Sequence, residues 1–377
     1  MRTAILTLTS CLILTQSALA LEMVPDSKAV RKKGGTKWFD IRDLGVEGQG
    51  WTDVKSPFDR LPAKAEGKVR PPVWSLSRHS AGLCVRFHSN TASIDAHWKL
   101  TSDRIAMNHM PATGVSGLGL YMKDAKGRWR WIGVGRPSKQ INEHRITFGP
   151  HHKMKEFLLY LPLYNGVTEV QIGIDEKAVM FKADTRPSGI KKPVVFYGTS
   201  ITQGGCASRP GMVHTAILGR WLDVPVINLG FSGNGRMEPE IADLFSELDP
   251  SIYVLDCLPN MQPPEVAAKV EPFVKTLRSK HATTPIVLVE DRSYTGSFFN
   301  TFKQKRNNDS RAALKRAFNN LTKAGDKNLY YIEGENLLGD DGEGTVDSSH
   351  PTDLGFMRQA TEFRKVLEPI LKSRFSK

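Results

Sequence analysis

What the chain lacks narrows it first. No low-complexity tract and no internal repeat runs through its 377 residues, which removes solenoid, propeller and fibrous architectures. Beyond residue 20 no apolar stretch is long enough to cross a bilayer, so no stable membrane insertion is expected. Lysine and arginine outnumber aspartate and glutamate by 52 to 39, a formal net charge of +13, yet the basic residues are scattered. Without a basic run interleaved with aromatics, and without a nucleic-acid motif, that surplus reads as a basic, soluble surface, and no nucleic-acid partner is expected. The histidines are equally unassembled. His109, His214 and the pair His151-His152 keep no metal-ligand spacing, and Asp340, Asp341 and Glu343 read as a solvated acidic loop. No metal and no cofactor are expected.

Cysteine is scarce, at four residues, and Cys11 falls inside an expected export signal. The charged start Met1-Arg2, the apolar centre from Ala4-Ile5-Leu6 to Leu12-Ile13-Leu14 and the small-residue exit Ala18-Leu19-Ala20 make residues 1–20 a signal peptide cleaved after Ala20. The mature protein is then periplasmic or extracellular and keeps Cys84, Cys206 and Cys257. Cys206 and Cys257 each follow a strand of the same domain, and two states stay open for them: a disulfide or buried free thiols.

The length exceeds what one core usually fills, so two domains are expected. Residues 36–186 carry a β pattern. Leu83, Val85 and Phe87 alternate with other residues, and Ile94, Ala96, Trp98 and Leu100 repeat the period of two. Residues 117–122 and 129–134 flank a turn-rich connection and predict a hairpin; residues 157–164 and 167–174 around Asn165-Gly166 predict a second. Short strands without helical periodicity imply a sandwich or jelly roll. Arg186-Pro187-Ser188-Gly189-Ile190-Lys191-Lys192 reads as a short exposed linker.

From 193 to 375 the pattern changes. Apolar runs at 194–197, 226–229, 252–255, 286–289 and 329–332 alternate with helical periodicity around 212–222, 239–248, 264–278 and 310–324. That alternation predicts an α/β domain with a parallel sheet covered on both faces. A final helix starts near Thr352 and spaces Phe356, Ala360, Phe363, Leu367 and Ile370 for docking.

Polar stations follow these strands, where open α/β sheets place their reactive crevice. Gly198-Thr199-Ser200 carries a hydroxyl out of the core onto a turn. Asn228-Leu229-Gly230-Phe231-Ser232-Gly233 lets backbone approach a ligand, Asn260 adds an amide, and Asp347-Ser348-Ser349-His350 precedes the last helix. A serine hydroxyl needs a base, which His350 supplies. Asp347, three residues earlier, can fold back to accept Nδ1–H and leave Nε2 facing Ser200. The N–H groups of Ser200 and Gly233 and the amide of Asn260 would form an oxyanion hole. Arg209 is placed either to hold a substrate oxygen or to make a salt bridge.

The order of these stations resembles the blocks of the SGNH (GDSL-type) hydrolase superfamily over about residues 193–373. Thr199 stands where many members carry aspartate, and Leu258-Pro259 replaces the usual glycine-rich approach to Asn260. Gly117-Leu118-Gly119-Leu120-Tyr121 resembles the Gly-x-Asp-Leu-Tyr pattern of a β domain that precedes some of these hydrolases, with glycine in place of the acid. The resemblance implies a flavodoxin-like three-layer catalytic domain behind the β-sandwich. It also implies an exported serine esterase acting on small acyl esters, acetyl groups of an acylated carbohydrate above all. The alternatives are a lipase or thioesterase of the same superfamily and a non-catalytic carbohydrate-binding protein. The β domain is expected either to shape the substrate cleft or only to support packing.

Overall fold

The structure, a computed structural model, describes residues 21–149 and 152–375; the expected signal peptide lies outside the described residues. In the C-terminal half, strands β1 (Val194–Gly198), β2 (Val226–Gly230), β3 (Ile252–Asp256), β4 (Ile286–Val289) and β5 (Leu329–Ile332) form one parallel sheet in the order β2-β1-β3-β4-β5. Helices α1 (Ser200–Gln203), α2 (His214–Leu222), α3 (Pro239–Phe245), α4 (Pro263–Lys280), α5 (Thr301–Lys323) and α6 (Asp353–Phe375) connect and follow them. Successive strand residues point to opposite sides. Tyr197, Leu229, Tyr253 and Leu288 join a core with α3, α4 and α5, whereas Phe196, Val254 and Val287 join one with α2 and α6. The chain leaves β1 to one side for β2 and returns on the other for β3. The carboxyl end of β1 therefore lies at the switch point where such sheets bind ligands.

In the N-terminal half the alternating strands form two antiparallel sheets. Cys84–Ser89, Lys155–Tyr160 and Leu118–Lys123 lie at the centre of one; Thr36–Asp40, Val167–Asp175 and Ser93–Leu100 lie at the centre of the other. Val85, Phe87, Leu120 and Leu159 from the first meet Phe39, Ala96, Trp98 and Ile172 from the second in a single core. The expected 117–134 hairpin is present, pairing Leu118–Lys123 with Trp129–Gly135.

The second expected hairpin is absent. Lys155–Tyr160 and Val167–Asp175 belong to different sheets, and the Asn165-Gly166 segment carries the chain between them. Asn165 acts there as a buried clasp: its Oδ1 accepts from Thr101 Oγ1 (3.0 Å) and Ser102 N (3.2 Å), and its Nδ2 donates to Ser102 O (3.0 Å) and Ser116 Oγ (3.1 Å). The expected exposed linker is also pinned. Arg186 pairs with Glu47 and faces Asp223, Ser188 Oγ donates to Asp223 O (2.6 Å), and Ile190 is buried. Cys84, Cys206 and Cys257 are free and buried, so the thiol state is the one present; burial, with Asp347 nearby, pushes the Cys206 thiol up to about 12.

The two halves share their cores. Leu61, Ala65, Val69 and Val73 extend the apolar layer that covers α3 and α4, while Cys84, Tyr121, Leu158 and Tyr160 on the outer face of one antiparallel sheet pack in the layer of α2 and α6. The segment between residues 48 and 82, inside the region read as β, instead holds the helix Pro71–Ser77. It is ordered by the apolar side chains that it inserts against the α/β half.

Candidate active site

The turn after β1 is built from residues that leave no room for alternatives. A Cβ on Gly198 would lie 2.1 Å from Thr202 Oγ1 and 2.6 Å from Asp256 O, so only glycine lets the strand end fold against α1. Thr199 caps that helix, accepting Ile201 N at 3.3 Å, and Ser200 is its first residue. Three donors fix the Ser200 carbonyl: Gly204 N (3.0 Å), Gly205 N (2.7 Å) and the Tyr164 hydroxyl (3.0 Å). Beneath the turn, Thr202 Oγ1 donates to the buried Asp256 (3.1 Å), which also receives Arg292 Nη2 at 3.0 and 2.9 Å. Burial pushes Asp256 up against the opposing pull of Arg292.

Ser200 and His350 meet although 150 residues separate them. Ser200 Oγ lies 2.8 Å from His350 Nε2, and His350 Nδ1 lies 2.7 Å from Asp347 Oδ2. Asp347 Oδ1 accepts the backbone N–H of His350 (2.8 Å) and Ser349 (3.1 Å), so the carboxylate folds back within one turn as its spacing predicted. Burial works to raise the Asp347 carboxyl, but the bonds from His350 and Ser349 outweigh it and hold the carboxyl below its usual range. Asp341, in the acidic loop upstream, pairs with Arg358.

The expected oxyanion donors are placed unequally. Gly233 sits at φ +69, and its N–H meets no acceptor among the described residues; the neighbouring Ser232 N is committed to Gln203 Oε1 at 3.0 Å. Ser200 N is the first N–H of α1, one of the donors that a helix leaves unpaired. Asn260 lies on the turn Leu258–Asn260, held by Arg306 Nη2 donating to Leu258 O (3.0 Å), Pro259 O (2.8 Å) and Met261 O (3.1 Å). One N–H of its amide goes to Asn234 O at 2.7 Å, which leaves the second for a ligand. Arg209 stands apart: its Nη1 is 3.9 Å from Asp353 Oδ2, its guanidinium lies 4.7 Å from the Trp131 ring centroid, and it does not line the cavity described below.

Sequence reasoning missed what the N-terminal half brings. The fully buried Arg60 donates to Gly230 O (2.7 Å), Asn228 O (3.1 Å), His79 O (2.9 Å) and Leu76 O (2.6 Å), and lies 4.9 Å from the Phe231 ring centroid. Burial lowers its guanidinium to about 9, still charged at neutral pH. It thus ties the end of β2 and the glycine loop to the N-terminal half. Gln203 makes a second tie, donating to Leu163 O (3.0 Å) and His79 Nδ1 (3.0 Å). A cavity of about 660 Å³ opens against Tyr164, whose hydroxyl holds the Ser200 carbonyl; Leu76, His79, Ser102, Arg104 and Asn108 also line it, with Ser232 from the α/β half. The next residue, His109, lies with its ring centroid 6.0 Å from that of His350. Only the unassigned polar cluster at 101–109, between two strand patterns, signalled this wall in the sequence.

The comparisons agree with this geometry. The GDSL-like Lipase/Acylhydrolase family matches residues 191–368, and the N-terminus of Esterase_SGNH_hydro-type matches residues 36–180. No curated protein matches the sequence. Among solved structures, a putative GDSL-like lipase from Bacteroides ovatus is 35% identical, with a TM-score of 0.84 over 89% of this chain and 98% of that one. A salicylyl-acyltransferase from a tetracycline biosynthetic pathway is 18% identical, with a TM-score of 0.71 over 90% and 98%. A family two carbohydrate esterase from Cellvibrio japonicus is 12% identical, with a TM-score of 0.58 over 89% and 98%; these last two share the fold. With its order of stations, its assembled strand-end crevice and a relative that close over nearly its whole length, the chain belongs to the GDSL-like, SGNH-type lipase and acylhydrolase family.

Proposed function

We propose that this acylhydrolase is an exported serine esterase that removes a small acyl group, acetyl above all, from an acylated carbohydrate. Residues 193–375 form its flavodoxin-like catalytic domain, and residues 36–186 a β-sandwich that walls the cleft. The observation that carries the reading is the continuous Asp347–His350–Ser200 hydrogen-bonded chain, at 2.7 and 2.8 Å, beside an open cavity. Nε2 of His350 takes the Ser200 proton as Oγ attacks the ester carbonyl, and Asp347 holds Nδ1–H and stabilises the imidazolium. The N–H groups of Ser200 and Gly233 and the free N–H of Asn260 receive the oxyanion, each worth about 2.7–4 kcal/mol. The imidazolium returns its proton to the leaving sugar oxygen. A water then repeats the attack on the acyl-enzyme, releasing the acid and restoring Ser200.

A panel of acetylated oligosaccharides tests this. The wild type is expected to release acetate and to be labelled by a fluorophosphonate at Ser200, with both lost in Ser200→Ala. A preference for long over short acyl chains would replace the carbohydrate substrate by a lipid-like one. Glycan binding with neither turnover nor labelling would overturn the esterase reading.

A further inference from the structure

The cavity against Tyr164 is lopsided in its chemistry. Among the described residues no aspartate or glutamate lines it; Asp103, the neighbour of Arg104, is not part of the lining. Four of its polar side chains, Arg104, Ser102, Asn108 and His79, have donors to spare, whereas Tyr164 spends its proton on the Ser200 carbonyl and offers only a lone pair. The Arg104 guanidinium has no partner among the described residues, and only its backbone N–H is engaged, by Ser102 Oγ at 3.1 Å. Accepting that bond leaves the Ser102 hydroxyl proton free to donate. The Asn108 Oδ1 is taken by His109 Nδ1 at 2.6 Å, which leaves its NH₂ group. His79 is half-buried, and burial, with Arg60 second, lowers it to about 4, so the ring is neutral near pH 7. Its Nδ1 accepts from Gln203 Nε2, so its proton is on Nε2, a further donor.

We infer that this wall of the N-terminal half selects esters whose sugar carries an anionic group, a carboxylate or a sulfate, with Arg104 as the charged contact and Ser102, Asn108 and His79 as neutral donors. The inference rests on the esterase reading for turnover but not for binding. A neutral sugar presents hydroxyls that both donate and accept, and against the donor-rich side formed by Arg104, Ser102, Asn108 and His79 much of its donor capacity would go unused. An anionic substituent is acceptor-only and matches the wall. The wall is also held in shape. Asn165 clamps residues 101 and 102, and an isolated bridge joins Met107 to Met110. Arg104 is therefore presented from a braced loop rather than a free one, which cuts the ordering cost of binding.

The test compares kcat/KM for O-acetylated oligogalacturonides, O-acetylated sulfated oligosaccharides and neutral O-acetylated xylo-oligosaccharides. At low salt the wild type is expected to favour one anionic series over the neutral one by about tenfold or more, with the preference carried in KM and shrinking as salt rises. Whichever anion leads identifies the group. Arg104→Gln is expected to reduce the anionic-to-neutral ratio by about tenfold. A wild-type ratio at or below one, or an Arg104→Gln variant that lowers both series equally, overturns the inference. Calorimetric binding of unacetylated oligogalacturonide and xylo-oligosaccharide to Ser200→Ala separates the two readings. If no ester is turned over, the esterase reading fails, and the binding preference still decides the anion site.

Discussion

The two halves of the molecule divide one task in different ways. The α/β half carries every group that would react, each on a short turn at a strand end, where three or four residues fix its direction. The β half carries none of them but holds the chain around them: Tyr164 on the Ser200 carbonyl, Arg60 on the end of β2, and His79 and Leu163 on Gln203. Reactive groups are thus set by local chain geometry, and the frame that holds them by contacts across 36 to 170 positions. A domain that looks like an accessory in sequence is part of the site's wall and floor.

The largest expected effect falls on the local side of this comparison. Asp347→Asn keeps the fold of the turn but presents an amide that can hold His350 in the wrong tautomer. The expected loss is about 10⁴-fold in kcat, close to 5.5 kcal/mol, with little change in thermal midpoint. Steady-state kinetics beside a melting curve checks it. A loss below tenfold would mean that the imidazole takes its orientation from elsewhere, His109 being the nearest candidate ring.

Legibility divides along the same line. Ser200, Gly233, Asn260 and the Asp347–His350 pair were readable because glycine permissiveness, a strand-to-helix turn and a three-residue spacing are local properties. The parallel sheet was readable from alternating periods, although α5 begins at Thr301 rather than near 310, because its polar first turns carry no apolar stripe. Arg60 was not readable. A lone arginine in a stretch without periodicity looks exposed, and only the fold shows four backbone carbonyls converging on it. The Asn165-Gly166 hairpin signal misled for a related reason: a turn dipeptide between two strands marks a change of direction, but which sheet the second strand joins depends on distant partners.

Arg60→Met sharpens the comparison from the other side. The substitution keeps an apolar stem of similar length but removes the guanidinium over Phe231 and its donors to Leu76, His79, Asn228 and Gly230, leaving carbonyls unpaired in the interior. Unfolding should become easier by about 3 kcal/mol, and kcat should fall as the glycine loop loses its anchor. Denaturant midpoints and kcat, measured on the same preparation, check both. A stability loss with kcat intact would show that the β half supports the fold and leaves the oxyanion donors alone.

Acid sensitivity is the smallest effect and compares the halves directly, because each contributes a histidine that burial holds neutral. His214, in the α/β half, is fully buried among Phe196, Phe356 and Phe363, and its pKa is driven well below the usual value by burial and then by Arg292. His79, in the β half, is lowered to about 4 by burial and then by Arg60. Well above pH 6.5 neither imidazole is protonated in the folded or the unfolded chain, so neither adds a pH dependence there. Below it the unfolded chain takes up protons that the folded chain refuses, and stability falls as pH falls, by up to about 1.4 kcal/mol per pH unit for each such proton. Asp347, with its lowered carboxyl, acts in a lower window: its contribution persists above the ordinary carboxylate range and is lost only as pH drops through the depressed value. Between pH 6.5 and 5.5 the slope therefore belongs mainly to the histidines. Urea midpoints at those two values should converge in His214→Phe, where the phenyl ring fits an aromatic cage. They should converge less in His79→Gln, because half-burial leaves that ring partly screened by solvent. Equal slopes in both variants and the wild type would mean that the folded protein admits these protons after all, and that burial in neither half is as strict as the packing implies.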